Sequence, residues 1–377
     1  MSSPLPFVDL KAQYARLKPA IDARIRKVLE HGQYVLGPEV AELEAALAGF
    51  CGARHCVTVA SGTEALRLPL MADGIGPGDV VLLPAFTFPA TAEVVVSLGA
   101  TPVFVDVDAR TYNLDPAHLS DVVREIRRTS GLKPKAVMPV DLFGLPANYA
   151  AIETVAQENG LTILADAAQS YGATLGNRAV GVLAPVTATS FFPAKPLGAY
   201  GEGGAIFTDN GERAQVLRSI RAHGAGEDRY DIVRLGTNAR LDTLQAAILL
   251  AKLEVFAEEL LARERWATLY DAKLSPDIAP PYRSPDSRSA WAQYCVRVPQ
   301  RDRIREHLAR DGIPTAIYYP KPLHFQPAYQ RFGRGPGSLP MSERACEEIL
   351  ALPMHPYLDE ATIERIAAAL RGALAAI

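Results

Sequence analysis

Short runs of apolar residues alternate with amphipathic stretches between about residue 55 and residue 210. The runs read HCVTVA, DVVLLPA, TPVFVDVD, KAVMPV, LTILAD and GAIFTD, and such runs are typical of strands that are buried on both faces of a parallel sheet. Stretches at 63–72, 116–128 and 148–159 show helical spacing between several of them. The pattern predicts an α/β domain with a mainly parallel sheet that is covered by helices on both sides.

The pattern changes after this region. Residues 241–273 carry apolar side chains at helical spacing, and a proline-rich segment, SPDIAPPYRSPDSRS, follows them. Beyond it lie a strand-like run, AQYCVRV, and helical stretches at 300–311, 341–350 and 359–375. We therefore predict a large domain with an N-terminal arm, residues 1–255, and a smaller C-terminal α+β domain, residues 256–377.

Composition and charge exclude several classes of function. The chain has 377 residues, of which 49% are hydrophobic, and a net charge of −3, so it can bury a large core but offers no basic surplus for a nucleic acid. Charges interrupt the opening segment MSSPLPFVDLKAQYARLKPA, and no later run reaches the ~20 apolar residues of a membrane span. The four cysteines include one close pair, spaced C-x4-C, which matches neither a zinc nor a redox motif. We expect a cytoplasmic protein without a metal, nucleic acid or membrane partner.

Ligands of open α/β sheets bind beyond the carboxyl ends of the strands, so the residues that follow each strand are candidates for the site. Ser61, Gly62 and Thr63 follow HCVTVA and open a helix, which suits an anion, although a plain N-cap explains them equally. Phe86 and Phe88 follow DVVLLPA. An aromatic ring there could stack on a flat heterocycle, or it could simply fill the core.

Two charged residues indicate more specific chemistry. Asp166 ends the apolar run LTILAD, and a buried carboxylate needs a cationic or donor partner such as a protonated ring nitrogen, unless it merely caps the next turn. Lys195 stands between Pro193 and Pro196, which exclude the interior of a helix. Burial among the neighbouring apolar side chains would lower its pKa and favour the neutral amine that attacks a carbonyl. The alternative is a solvated surface lysine.

In combination these features match the requirements of pyridoxal 5′-phosphate (PLP). This cofactor needs a phosphate cradle, a stacking ring, a carboxylate for its pyridinium nitrogen and a lysine that forms a Schiff base with it. The helix start at residue 61, the aromatic residues 86 and 88, Asp166 and Lys195 supply one candidate for each requirement, and Ser190 precedes the lysine by five residues. The sequence therefore predicts PLP as the cofactor.

With these motifs the sequence resembles a known family, the fold-type I aminotransferases of the DegT/StrS group, which aminate keto sugars carried on nucleotides. The resemblance covers essentially the whole chain and implies the fold-type I PLP transferase fold and an obligate homodimer with shared active sites. The motifs that carry it are FVDLKAQYARLKPAI, GQYVLGPEVAELE, SGTEAL, PAFTFPATAE, DAAQSYGA, SFFPAKPLGAYGEGGA, NARLDTLQAAIL, IYYPKPLH and LPMHPYL.

The resemblance implies roles for individual residues at the cofactor. Lys195 looks like the Schiff-base lysine, which also moves protons, Asp166 looks like the partner of the ring nitrogen, and Gln169 looks like a donor to the ring hydroxyl. Phe88 matches the stacking aromatic. The residues that match the phosphate cradle are Gly62, Thr63, Ser190 and, reaching over from the partner subunit, Asn238.

The substrates are also implied by the resemblance. The amino donor is L-glutamate, and the motifs look closest to those of enzymes that aminate UDP-2-acetamido-2-deoxy-3-oxo-D-glucuronate for bacterial surface polysaccharides. Arg240 is the cation that would bind the uronate, and Tyr318 departs from the histidine that the uronate enzymes have there. The further sugar or nucleotide contacts implied are Tyr319, Lys321 and His324.

Other functions are less favoured. A relative acting on a dTDP- or GDP-linked keto-deoxysugar is the nearest alternative, because an arginine at the position of Arg240 also occurs in enzymes for neutral sugars. A PLP enzyme of another reaction type, such as a sugar dehydratase, is disfavoured since the dehydratase relatives replace the lysine by histidine. A binding or regulatory protein of the same fold is disfavoured because every chemical position is filled.

Overall fold

The computed structural model describes residues 5–129, 131–276 and 278–376. The helices of these residues are α1 (Leu10–His31), α2 (Pro38–Cys51), α3 (Gly62–Ala72), α4 (Ala90–Ser97), α5 (Pro116–Thr129), α6 (Tyr149–Asn159), α7 (Gly211–Arg221), α8 (Thr243–Lys273), α9 (Arg301–Arg310), α10 (Pro340–Glu348) and α11 (Glu360–Ala375). The strands are β1 (His55–Val59), β2 (Asp79–Pro84), β3 (Thr101–Val105), β4 (Lys133–Val137), β5 (Thr162–Asp166), β6 (Thr174–Leu175), β7 (Arg178–Ala179), β8 (Val186–Ser190), β9 (Gly204–Thr208), β10 (Ser287–Arg288), β11 (Tyr294–Arg297) and β12 (Ile349–Leu352). Short 3-10 helices lie at Leu142–Gly144, Leu323–Phe325 and Gln330–Phe332.

A seven-stranded sheet in the order β1-β9-β8-β5-β4-β2-β3 forms the centre of the molecule. Strands β2, β3, β4, β5 and β8 pair in parallel, whereas β9 is antiparallel to both of its neighbours, β1 and β8. All six apolar runs recognised in the sequence form strands of this sheet. The predicted α/β class with a mainly parallel sheet is confirmed.

Helices cover both faces of the sheet because alternate strand residues point to opposite sides. In β2, Val81 and Leu83 pack with α3, α4 and α7, and Val80 and Leu82 pack with α5 and α6 on the other face. Each strand is therefore apolar in both directions, which explains its unbroken hydrophobic run.

Two elements differ from the sequence prediction. Strand β8 was not recognised, because Thr187, Thr189 and Ser190 interrupt its apolar character, although both threonines are almost fully buried. The predicted helix at 341–350 ends at Glu348, and the apolar residues of β12 that follow pair antiparallel with β11 instead.

The C-terminal part of the chain has its own hydrophobic core, in which α9, α11 and the β11–β12 pair pack against Trp266 and Tyr270 of α8. The N-terminal half of α8 belongs to another core, through Leu249 and Phe256, together with the segment around Lys195. The predicted domain boundary at residue 255 thus falls inside a continuous helix that serves both cores, and its position stays a prediction.

Two further properties concern the described ranges alone. Every helix in them is either too short or too polar to span a lipid bilayer, and they bring together no group of three His, Cys, Asp or Glu side chains suited to a metal ion. The four cysteines, Cys51, Cys56, Cys295 and Cys346, are buried and free.

Candidate active site

Several of the predicted cofactor-binding residues lie at the carboxyl edge of the central sheet. Helix α3 begins directly after β1, Asp166 is the last residue of β5, and Ser190 is the last residue of the neighbouring strand β8, which leads into Lys195. Because β5 and β8 pair in parallel, with Asp166 opposite Ala188, the carboxylate and the lysine loop lie at the same edge. This is the place where open α/β sheets bind their ligands.

Asp166 is a buried carboxylate with neutral donors. Its Oδ2 accepts a hydrogen bond of 2.9 Å from the hydroxyl of Thr91, and its Oδ1 accepts one of 3.2 Å from the N–H of Ala168. Burial raises the pKa of Asp166 above its ordinary value, and these bonds and the charge of Lys195 offset only part of the rise. The site would therefore stabilise a cationic group placed against this carboxylate.

Lys195 is held on a closed turn. Its N–H donates to the carbonyl oxygen of Phe192 at 2.9 Å, and the N–H of Ala199 donates to the carbonyl oxygen of Phe191 at 2.7 Å, so the segment folds back on itself. The side chain keeps partial exposure, but burial by the surrounding protein lowers the pKa of Lys195, and the carboxylates of Asp166 and Glu202 oppose this effect. The geometry thus favours the neutral, nucleophilic amine.

The start of α3 forms a cradle with Ser190. Ser61 caps the helix by accepting a hydrogen bond of 3.2 Å from the N–H of Glu64, which leaves the N–H groups of Gly62 and Thr63 at the positive end of the helix. A Cβ atom on residue 62 would lie 2.6 Å from the Cβ of Ser190 and 2.9 Å from its Oγ. Only glycine allows the helix start and Ser190 to come this close.

We expect Gly62→Ala to weaken PLP binding, because the new methyl group must displace Ser190 or the first turn of α3. Overpacking of this kind costs about 1–3 kcal/mol, or roughly a 5- to 150-fold higher dissociation constant. A titration of the apoprotein with PLP, followed by fluorescence, measures the change. Gly49→Ala on α2 is the matched control, since a Cβ there meets nothing within 4 Å; equal affinities in the two variants would contradict the assignment of the cradle.

Gln169 is fixed in one orientation. Its Oε1 accepts a hydrogen bond of 2.6 Å from the N–H of Phe143, and its Nε2 donates to the hydroxyl of Tyr319 at 3.1 Å. Phe143 adopts the left-handed backbone region, with φ of 60°, which is uncommon for a residue other than glycine. The amide of Gln169 therefore presents its N–H side towards Tyr319.

Phe88 and Tyr319 form an aromatic surface beside this amide. The two ring centroids are 6.2 Å apart, and the side chain of Phe88 is 56% exposed, whereas Phe86 is fully buried against Phe143 and Tyr319. Of the two phenylalanines considered in the sequence, Phe88 is thus the one with a free face for stacking.

The predicted sugar contacts are not all in one place. Tyr319 lies beside Gln169, the neighbouring ring of Tyr318 has its centroid 6.3 Å from that of Phe7, and Lys321 is exposed.

Asn238, the predicted phosphate ligand, is exposed, and its Oδ1 accepts a hydrogen bond of 2.9 Å from Nε of Arg240.

His324, the last of the predicted sugar or nucleotide contacts, is buried. Its Nε2 lies 3.2 Å from Oε1 of Glu343, and its ring packs 4.3 Å from Phe325. Gly333 packs closely against this histidine, because a Cβ on residue 333 would lie 2.9 Å from the Cβ of His324. The histidine therefore packs into the core of this structure, and its contact with a sugar or nucleotide stays a prediction.

Three residues of the site were not recognised in the sequence. Thr91 binds the carboxylate of Asp166, and Gln245 and Lys252 of α8 bind the backbone of the lysine loop. The signal for Lys252 was present, because this lysine directly follows the uncharged run AAILLA of the predicted helix.

The residues at the edge of the sheet fit PLP. Among the described residues, the buried carboxylate of Asp166 accepts hydrogen bonds from neutral groups only, so a protonated ring nitrogen would supply the missing cation. The exposed ring of Phe88 offers a stacking surface, and the glycine at the start of α3 keeps a cradle open beside Ser190 that suits a phosphate.

Comparison with known proteins shows similarity to aminotransferases over nearly the whole chain. Residues 16–371 match the model of the DegT/DnrJ/EryC1/StrS aminotransferase family. The chain is 48% identical, over 97% of its length and 99% of the relative, to the UDP-2-acetamido-2-deoxy-3-oxo-D-glucuronate aminotransferase of Pseudomonas aeruginosa.

Solved structures show the same similarity. The crystal structure of a DegT DnrJ EryC1 StrS aminotransferase from Brucella abortus superposes with a TM-score of 0.96 and 49% identity, covering 98% of this chain and 99% of that one. The structure of NtdA from Bacillus subtilis with bound cofactor PMP has a TM-score of 0.87 and 28% identity, covering 100% of this chain and 86% of that one.

Proposed function

Because the chain belongs to the DegT/DnrJ/EryC1/StrS aminotransferase family, a family of PLP-dependent enzymes, we propose that it transfers the amino group of L-glutamate to a nucleotide-linked keto sugar, UDP-2-acetamido-2-deoxy-3-oxo-D-glucuronate. The observation that carries the choice of sugar is the 48% identity to the Pseudomonas aeruginosa enzyme over nearly the full length of both chains. The clustering of Asp166, Gln169 and Lys195 at one edge of the sheet supports the chemistry.

The chain's residues hold the cofactor at four points. When bound, PLP supplies an aldehyde that bonds to amines and a ring that accepts the electrons freed at the donor's α-carbon. The first turn of α3 and Ser190 would bind the phosphate, and the exposed ring of Phe88 would stack on the ring of the cofactor. Asp166 keeps a proton on the ring nitrogen, since its buried carboxylate has no other cation bonded to it among the described residues.

Lys195 moves the proton in both half-reactions. Its amine is favoured in the neutral form because burial lowers its pKa, so it can take the α-proton from glutamate as a general base. The nearby Asp166 and Glu202 carboxylates stabilise the ammonium that results. The same ammonium would then give that proton to the cofactor. In the second half-reaction the proton would move the other way, from the cofactor to the sugar carbon that receives the nitrogen.

The uronate carboxylate needs a cation, and we assign Arg240 to it. Arg240 and Asn238 lie on a segment that runs beside the start of α3, where the N–H of Ala60 donates to the carbonyl oxygen of Ala239 at 3.0 Å. The guanidinium is only partly buried, so it is available to a carboxylate in the fork geometry that arginine favours. Tyr318, Tyr319 and Lys321 complete the proposed acceptor side.

A homodimer with shared sites is part of this proposal. The segment just before Asn238 exposes a group of large apolar side chains, and a soluble surface rarely shows such a patch without a partner. These side chains are Tyr230, Ile232, Val233 and Leu235, with exposed fractions of 77%, 54%, 52% and 89%. A second copy that covers them would receive Asn238 in its own site.

Mixing two inactive variants tests this arrangement. We expect Lys195→Ala and Asn238→Asp to be separately inactive or nearly so, the second because its new carboxylate repels the phosphate. After subunit exchange at equal amounts, about a quarter of the wild-type activity should return, since half of the dimers then carry one intact site out of two. No recovery in a mixture whose subunit exchange is proved by mass spectrometry would show that each chain builds its site alone.

A half-reaction experiment tests the proposed function. The purified protein is loaded with PLP, L-glutamate is added, and the visible absorbance of the bound cofactor is followed as it converts to that of the amino form. UDP-2-acetamido-2-deoxy-3-oxo-D-glucuronate should restore the starting spectrum and a neutral dTDP-linked keto sugar should not. Restoration by the dTDP sugar alone would replace the proposed acceptor by a keto-deoxysugar, and a wild-type spectrum without any cofactor band would overturn the whole proposal.

The compartment and the pathway stay predictions. The proposed product, a nucleotide-linked diamino uronic acid, is a building block of bacterial surface polysaccharides. This product supports the prediction of a cytoplasmic reaction in polysaccharide biosynthesis.

A further inference from the structure

Helix α8 buries a lysine directly behind the loop that carries Lys195. Lys252 is fully buried, and its Nζ donates a hydrogen bond of 2.6 Å to the carbonyl oxygen of Gly198. The same nitrogen lies 4.0 Å from the centre of the Tyr200 ring. The ammonium is therefore aimed at the backbone of the lysine loop, away from solvent.

Burying the amine of Lys252 in this way costs free energy of folding. Burial lowers the pKa of Lys252 to about 7, and the carboxylate of Glu259, which attracts it, opposes that shift only in part. Glu259 is itself bonded to Nε2 of Gln13 and to the hydroxyl of Tyr357. A methionine of similar length would fill the same space without the cost of burying an amine, so the hydrogen bond to Gly198 is the specific property that lysine adds.

The carbonyl that Lys252 holds belongs to the tightest point of the loop. A Cβ on residue 198 would lie 2.4 Å from the carbonyl oxygen of Pro193 and 2.8 Å from that of Phe192. The carbonyl of Phe192 also accepts the N–H of Lys195. Gly198 is thus packed against the same peptide groups that fix the backbone of Lys195.

A second residue of α8 holds the same stretch. Oε1 of Gln245 accepts a hydrogen bond of 2.9 Å from the N–H of Tyr200. Gln245 and Lys252 are seven residues apart, which places them two turns apart on one face of the helix. Two side chains of one rigid helix therefore hold the loop at residues 198 and 200.

We propose that Lys252 is a positioning residue, which fixes the backbone turn of Lys195 so that its amine points into the site. The inference rests on the proposed function, since the value of a fixed amine lies in its reaction. Lys252 acts through the carbonyl of Gly198 and contacts neither the cofactor nor a substrate.

The test replaces the hydrogen-bond donor while keeping the length of the side chain. Lys252→Met is compared with Lys273→Met, a surface lysine of the same helix that pairs with Glu364. In the apoprotein, hydrogen exchange of the Lys195 and Ala199 amides, which bond to Phe192 and Phe191, should accelerate roughly 10-fold or more in Lys252→Met. The amides of Ile206 and Phe207 in β9 should exchange as in the wild type.

Kinetics of the loaded enzyme give a second readout. We expect kcat of Lys252→Met to fall roughly 10- to 100-fold, because a misplaced amine slows proton transfer, while KM for the nucleotide sugar stays within about twofold. If Lys252→Met does not fold, Lys252→Gln is measured in the same way.

Unchanged exchange of the Lys195 and Ala199 amides would overturn the proposal, and so would an equal acceleration in β9, which would indicate general destabilisation. Since exchange is measured without cofactor, it separates this inference from the proposed function. If Lys252→Met accelerates exchange in the loop but the wild-type protein shows no aminotransferase activity, the role of Lys252 in holding the loop would stand and the proposed reaction would be refuted.

Discussion

Lys195→Ala should reduce amino transfer by about 10⁴-fold or more, because the variant loses both the amine that bonds to the cofactor and the base that moves the α-proton. The loss should appear in both half-reactions, since the same amine serves glutamate and the sugar. Stopped-flow absorbance of the glutamate half-reaction under single-turnover conditions measures it directly. The variant should still bind PLP through the cradle, because Gly62, Ser190 and Asp166 are unchanged.

Two controls accompany this prediction. Lys273→Ala removes a partly exposed lysine that pairs with Glu364 at the C-terminal end of α8, and it should leave the rate unchanged. A small primary amine added to Lys195→Ala should restore part of the proton transfer, since the space of the missing side chain can admit it. A Lys195→Ala enzyme within about tenfold of the wild-type rate would remove general-base catalysis from this residue.

Asp166→Asn should have the second largest effect, a loss of about 10³-fold in kcat. Asparagine keeps the shape of the side chain and an oxygen for the hydroxyl of Thr91, but it does not carry the negative charge that holds a proton on the ring nitrogen. The absorbance spectrum of the bound cofactor should therefore change together with the rate. Asp106→Asn is the control, because Asp106 is also a buried carboxylate at a strand end but bonds to the N–H groups of Met341 and Ser342.

The same variant should not destabilise the apoprotein. Burial raises the pKa of Asp166 above its ordinary value of 3.8. The charged carboxylate therefore lowers the free energy of unfolding at every pH above the folded pKa. This penalty is absent below about pH 4 and grows as the pH rises through the interval up to the folded pKa. The apo form of Asp166→Asn should thus gain stability relative to the wild type between acid and neutral pH, as thermal unfolding at several pH values will show. A variant that is less stable than the wild type at neutral pH would show that the carboxylate is compensated in the apoprotein.

The parts of the site that lie within single motifs could be predicted from the sequence. Asp166 ends its own apolar strand, and Lys195 stands between two prolines, so local context indicated both positions. Gly62 could be recognised because a strand and a helix meet there. In each of these cases the physical cause, a strand end or a fixed turn, is encoded by neighbours in the chain.

Contacts between distant segments could not be predicted in this way. The burial of His324 depends on Glu343 and on the approach of Gly333, and the contact between Lys252 and Gly198 joins a helix to a loop more than fifty positions earlier. Strand β8 was missed because its threonines are polar in the sequence and are buried only once the sheet has formed. The sequence indicates which residues carry the chemistry more readily than it indicates what holds them.

The antiparallel placement of β9 has a consequence for how the chain assembles. Gly204 lies opposite Ser190 on one side and opposite Val59 on the other, so residues 191–203, which include Lys195, form the connection of a hairpin. Closing so short a loop costs little chain entropy, whereas β1 can join β9 only after a separation of more than a hundred residues has been bridged. The lysine turn can therefore form early from local contacts, and the phosphate cradle is completed later, when the long-range pairing brings α3 against Ser190.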